Sequence, residues 1–229
     1  MIDLEDAVAP AAKDAARAHA VSWLTAGNSA VVRINAVGTP WHGADVAALA
    51  ALAPAIMLPK AERAADLALG PAVIPLVETA AGVTAAAELC AARGVVRPAF
   101  GSIDLAAQLG VDPSSHTALL HARSALALAA AAAGCAPPVD GVTAALDDPD
   151  ALRRDTEHAV ELGFTGKLCV HPRQIAPVHE ALRPSEAELA WARRVLTAAT
   201  DGSAIAVDGH LVDRPVLQRA ERLLNRARH

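Results

Sequence analysis

The sequence predicts an α/β protein: a (β/α)8 barrel of the TIM type, lacking its first βα unit and carrying a C-terminal helical extension. Three observations lead there. Short apolar segments alternate with longer helical ones along most of the chain, which is the pattern of repeated βα units. Acidic, basic and polar residues recur just after those apolar segments: Glu5 and Asp6, Arg33 and Asn35, Lys60 and Glu62, Glu78, Asp104, His171. In a (β/α)8 barrel all such strand ends converge on the face that carries the active site. The chain also opens directly on MIDLEDAV, three carboxylates in its first six residues with no strand or helix before them.

Seven strands are expected, at 2–4, 30–35, 55–59, 73–77, 96–100, 138–141 and 167–170. The helices expected between them lie at 10–24, 43–53, 61–69, 82–92, 115–133 and 150–162. Pro10 is pre-set for an early helical position, and Ala12, Ala16, Ala20 and Trp23 share one face of the first helix. A closed barrel wants eight strands, so MIDLEDAV reads as the active-site end of the second, with Met1 a misplaced start. After residue 184, Ser185 and Glu188 have the spacing of a capping box. AIAVDGHLVD then reads as a hairpin, and a last helix begins near Pro215. The expected organisation is a barrel over 1–184 and an extension over 185–229 that packs on the barrel or on a neighbouring subunit.

A chain of 229 residues fits one such domain, and much of its 53% hydrophobic content is alanine, which suits helices packed closely around a sheet. Two Phe, three Trp and no Tyr leave few stacking platforms, and a net charge of −5 gives no general attraction to phosphate backbones, so nucleic acid is excluded as a partner. The longest uncharged run, Ser124 to Val139, is too short and too broken by Pro137 and Pro138 to span a bilayer. No secretory signal precedes the first motif. The three scattered cysteines read as reduced thiols of a cytoplasmic protein.

Glu78 and Asp104 form a pair of carboxylates on one barrel face, which suits a hard cation such as Mg²⁺ with its remaining positions left to water and substrate oxygens. Taken singly, each also reads as a helix cap or a surface group. Arg33 lies inside an apolar run and needs an anionic partner, either a bound carboxylate or enolate or a salt bridge to Glu5, Asp6 or Glu78. Lys60 can neutralise a substrate carboxylate or pair with Glu62 or Glu78. His171 can bind substrate or simply hydrogen-bond its own loop. Histidine and cysteine spacings for zinc are absent, as are the phosphate-loop, dinucleotide-binding and nucleophile-elbow motifs.

Several segments together resemble the citrate lyase β-subunit-like, acyl-CoA lyase branch of the HpcH/HpaI aldolase superfamily. They are MIDLEDAVAPAAKDAAR, VVRINAVGTPW, AIMLPKAE, VIPLVETAAGV, AFGSIDLAAQLG, GKLCVHPRQIAPVHEALRPS and VDGHLVDRPVLQRA, in order over nearly the whole chain. The resemblance implies a Mg²⁺-dependent carbon-carbon lyase, assembled as a homotrimer or hexamer. Its substrate would be a coenzyme A thioester of the citryl-, citramalyl- or malyl-CoA type, cleaved to acetyl-CoA and a 2-oxo acid. It carries the metal ligands onto Glu78 and Asp104 and the active-site arginine onto Arg33, in RIN where the family has RVN. Glu5 and Asp6 then hold metal-bound water and Arg33. Some relatives recruit an acid from a neighbouring subunit's C-terminal region, for which Asp208 is the candidate and Asp213 the lesser alternative. Three alternatives stand beside this reading: a coenzyme A-independent aldolase acting on pyruvate or oxaloacetate, a malate synthase- or thioesterase-like enzyme, and a catalytically silent truncated subunit.

Overall fold

All seven expected strands form, and they pair in the order of the sequence. The structure, a computed structural model, describes residues 1–70, 72–198, 205–207 and 210–227. The chain divides into two compact units, Met1–Gln174 and Ile175–His229. The division falls before the boundary expected at 184, because the helix 175–182 groups with the C-terminal segment.

The first unit runs β1 (Ile2–Asp3), α1 (Lys13–Thr25), β2 (Val32–Arg33), α2 (His42–Leu49), β3 (Ile56–Leu58), β4 (Val73–Val77), α3 (Ala80–Thr84), α4 (Ala86–Ala91), β5 (Ala99–Phe100), α5 (Ser102–Leu109), α6 (His116–Ala133), β6 (Val139–Asp140), α7 (Pro149–Glu161) and β7 (Gly166–Lys167). Every strand pair is parallel and the sheet order is β1 through β7. Period-two alternation sorts the side chains. Val32, Ile34, Ile56, Leu58, Val73, Val77 and Phe100 pack outward against Leu24, Leu49, Leu89, Leu105, Leu119 and Leu126 of the helices. Met57, Ile74, Leu76 and Ala99, with Val31, Val139 and Leu168, fill the concave side. A parallel sheet covered on both faces needs such near-continuous apolar strands.

Three local expectations change. The helix expected over 61–69 reduces to one 3₁₀ turn, Ala64–Leu67. Lys60 turns left-handed at φ 51 and Arg63 is extended at φ −135, so no helical run can start between them. The stretch 82–92 is two short helices separated at Ala85, whose ψ of 5 breaks the spiral. Helix α5 is not among the expected helices, although Leu105, Ala106 and Leu109 share its spacing and Gly110 closes it in the left-handed conformation (φ 68).

The second unit contains α8 (Ile175–Leu182), α9 (Glu186–Ala198), a hairpin of β8 (Ile205–Val207) and β9 (His210–Val212), and α10 (Arg214–Arg226). The capping box forms as expected: the Ser185 backbone N–H donates to Glu188 Oε2 at 2.8 Å, and the Glu188 N–H donates to Ser185 Oγ at 3.2 Å. Asp213 caps α10 by accepting from the Val216 N–H at 3.3 Å. Asp208 lies outside the described residues.

Candidate active site

The charged residues expected to work together meet at the C-terminal ends of β1 to β5. The register of β1 and β2 sets Asp3 opposite Arg33. The Arg33 guanidinium grips Asp3 at both oxygens, Nε to Oδ1 at 2.8 Å and a terminal nitrogen to Oδ2 at 2.5 Å. Its other terminal nitrogen is 3.0 Å from Glu5 Oε2 and 3.9 Å from Asp6 Oδ2. Burial alone would raise the Asp3 carboxyl, but the Arg33 hydrogen bonds outweigh it and hold the group below the usual carboxylate range. Asp3 was not among the expected site residues. Its alternate position relative to Glu5 on one strand face was the available signal.

Lys60, one residue beyond Pro59 at the end of β3, joins the remaining acids. Its backbone N–H donates to Glu78 Oε1 at 2.9 Å, while Nζ lies 2.8 Å from Glu5 Oε1 and 3.3 Å from Asp104 Oδ2. Two glycines permit this approach. A Cβ on Gly82 would stand 2.4 Å from the Ala61 carbonyl oxygen, and one on Gly101 would stand 2.4 Å from Glu78 Cβ and 2.5 Å from Glu78 Oε2. Glu78 is buried, and burial followed by the neighbouring Asp104 charge pushes its carboxyl up to about 7. Asp104 stands in the first turn of α5 and is more open.

These strand ends rest on a buried polar network in which Asn35 was expected at a strand end but Lys13 and Asp45 were not singled out. Lys13, 6% exposed, donates to the Leu4 and Glu5 carbonyl oxygens, both at 2.7 Å, and to Asn35 Oδ1 at 2.6 Å. Asn35 in turn donates from its backbone N–H (3.0 Å) and Nδ2 (2.6 Å) to Asp45 Oδ2. This network fixes the ends of β1 and β2 and so aims Glu5 and Arg33.

A pocket of about 260 Å³ opens over the site. Asp6, Arg33, Glu78 and Asp104 form its charged side, whereas Leu76, Phe100, Val142, Leu168 and Val170 line it with apolar surface. His171 is not part of that lining; it sits on an exposed turn, where its Nδ1 accepts from the Arg173 N–H at 3.2 Å.

Five carboxylates, Asp3, Glu5, Asp6, Glu78 and Asp104, thus face two cations, Arg33 and Lys60. Such an excess of acidic oxygen, with Glu78 raised by its crowding, fits a hard divalent cation. Among the described residues no group of three or more His, Cys, Asp or Glu forms a ready-made cage. Ligation by Glu78 and Asp104 would be sparse, which suits magnesium and leaves room for substrate oxygens.

Comparison with known proteins identifies the family. The family model described as HpcH/HpaI aldolase/citrate lyase matches residues 1–72 and 70–172, and one described as a C-C bond lyase of the TIM-barrel fold matches 123–229. A citrate lyase subunit beta-like protein of Mycobacterium tuberculosis is 43% identical, the match covering 99% of this chain and 86% of the relative. A (3S)-malyl-CoA thioesterase of Cereibacter sphaeroides is 35% identical, over 99% of this chain and 85% of the enzyme. The crystal structure of the M. tuberculosis protein CitE in complex with magnesium, acetoacetate and coenzyme A superposes with a TM-score of 0.85 at 42% identity, covering 99% of this chain and 88% of that one. The chain therefore belongs to the HpcH/HpaI aldolase/citrate lyase family, on a fold of the TIM-barrel type.

Proposed function

We propose that the protein is a magnesium-dependent carbon-carbon lyase that splits a 3-hydroxyacyl-CoA of the citryl-, citramalyl- or malyl-CoA type into acetyl-CoA and a 2-oxo acid. The observation that carries this reading is the placement of Glu78, Asp104 and Arg33 around one pocket, with Lys60 bonded to Glu78 and Asp104. Glu78 and Asp104 would hold the ion. When bound, magnesium supplies Lewis-acid polarisation of the hydroxyl and the adjacent carboxylate of the substrate.

The chain's own groups would do the rest. Cleavage breaks the bond between the hydroxyl-bearing carbon and the carbon next to the thioester, whose electron pair moves into the thioester as an enolate. Arg33, oriented by Asp3 and Glu5, offers the fixed positive charge that favours that enolate over the ground state. Lys60 and His171 are assigned to substrate binding, and Glu5 and Asp6 to orienting Arg33 and water near the ion. The hydroxyl proton must go to a base and a proton must return to the enolate carbon. We assign this work to Asp208 of an adjacent subunit in a homotrimer or hexamer, and place the enzyme in the cytoplasm. Coenzyme A binding by the M. tuberculosis protein and the malyl-CoA relative support a thioester substrate.

The thioesterase relative also favours a second reading, in which the same site hydrolyses the thioester. Product analysis separates the two. Incubated with citryl-, citramalyl- and malyl-CoA, a lyase releases acetyl-CoA and 2-oxo acid in equal amounts, and EDTA abolishes both. Free coenzyme A with an intact hydroxy acid would instead identify the thioesterase, and no product from any of the three would overturn both readings.

A further inference from the structure

Lys60, assigned above to substrate binding, also sits against the acids proposed to hold the cation. It is the non-glycine residue in the left-handed region, at φ 51, among the described residues. A side chain pays for that conformation in strain, and such strain persists where the surroundings enforce it. Here the enforcing contacts all belong to the acidic site. The backbone N–H meets Glu78, and Nζ bridges Glu5 and Asp104. Gly82 lets the following Ala61 carbonyl pack within a distance that no Cβ would tolerate. Arg33 is already committed to Asp3, Glu5 and Asp6. Among the described residues the ion pair of Asp104 is with this ammonium, on a flexible stem that is 41% exposed.

We propose that Lys60 is a tethered counter-ion, which occupies Asp104 until a divalent cation displaces it and then turns to the carboxylate of the incoming oxo acid. The proposal rests on the magnesium-lyase reading above and adds an order of events to it. The ammonium and the divalent cation compete for Asp104, so they cannot both be fully paired there. Glu5, at 2.8 Å, keeps the released ammonium within the acidic cluster. Cation binding therefore creates the anion receptor, and the oxo acid binds second. Lys60 is a positioning and binding group in this scheme, and the same side chain opposes the first ligand and favours the second.

Opposite signs make the test. Magnesium chloride is titrated calorimetrically into wild type, Lys60→Met and Lys60→Arg without organic ligand, and oxaloacetate is then titrated at saturating magnesium. Loss of one neighbouring positive charge at a half-exposed site should tighten magnesium binding by about fivefold or more in Lys60→Met. Oxaloacetate binding should weaken about tenfold or more in the same variant, for want of its charged partner. Lys60→Arg, which keeps the charge, should stay within about threefold of wild type for magnesium. Lys60→Gln repeats the measurement with a polar side chain, and a thermal melt of each variant establishes that it is folded. Unchanged or weaker magnesium binding in both neutral variants would overturn the counter-ion role while leaving the lyase reading intact. Failure of wild type to bind magnesium at all would overturn both.

Discussion

At the scale of single residues, the site is governed by how closely carboxylates can be brought together. Glu78 reaches the mouth of the pocket only because position 101 has no side chain. Gly101→Ala should therefore swing the Glu78 carboxylate away from Asp104 and weaken magnesium binding at least tenfold, while the melting temperature falls by only a few degrees. Calorimetry beside a thermal melt checks both halves of that expectation. That Gly101 faces a neighbouring glutamate was not legible in the sequence, because the register of β4 against β5 decides it. The same holds for Asp3. Its partnership with Arg33 is a cross-strand relation thirty positions apart, invisible until the strands are paired.

At the scale of elements, each strand end works because something beneath it is fixed. Lys13 begins α1 yet ties down the two residues after β1 by donating to the Leu4 and Glu5 carbonyl oxygens, the second of which also accepts from the Val8 N–H at 3.1 Å. Replacing it by Met would leave those acceptors and Asn35 Oδ1 short of a donor. A stability loss of about 2–3 kcal/mol is expected, measured by urea denaturation, given the cost of unsatisfied buried acceptors. Elements themselves were read from the sequence to within a few residues where periodicity or a cap marked them, as for β4, α6 and the capping box of α9. Two helices escaped. The start of α5 is read only for its carboxylate, and α8, which follows the 3₁₀ turn Pro172–Gln174, is not among the expected helices. Conversely, 61–69 looked helical by composition, but the left-handed Lys60 ended that possibility before it could propagate.

At the scale of the whole molecule, the first unit carries a titrating cluster remote from the acidic mouth. His116 and His158 stack with ring centroids 4.1 Å apart, and His116 Nε2 lies 2.7 Å from Asp155 Oδ1. Burial, then the His116 and Arg123 charges, lower the His158 imidazole. Burial would raise Asp155, but hydrogen bonds from Thr143 and His116 more than offset it and hold the carboxyl below its ordinary range. For each group the unfolded chain takes up its proton at higher pH than the folded one. His158 and Asp155 therefore contribute stability that is lost as pH drops below about 6.5 and about 4 respectively, whereas Glu78, raised to about 7, contributes in the opposite sense over the upper window. The His158 part is isolated by the denaturation midpoint of wild type minus that of His158→Phe, which should fall as pH drops from about 8 to about 5. The barrel class was legible because seven apolar segments recur with chemistry at their ends; the burial of these histidines was not, since nothing in their spacing joins α6 to α7. A different partition is visible in the pocket. Its charged residues all come from the first 104 positions, whereas Val142, Leu168 and Val170 come from the later strands. The charged lining is thus confined to one stretch of the gene while the apolar lining, which includes Leu76 and Phe100, is shared between both, and drift in the later stretch can reshape one wall of the cavity without replacing any charged lining residue.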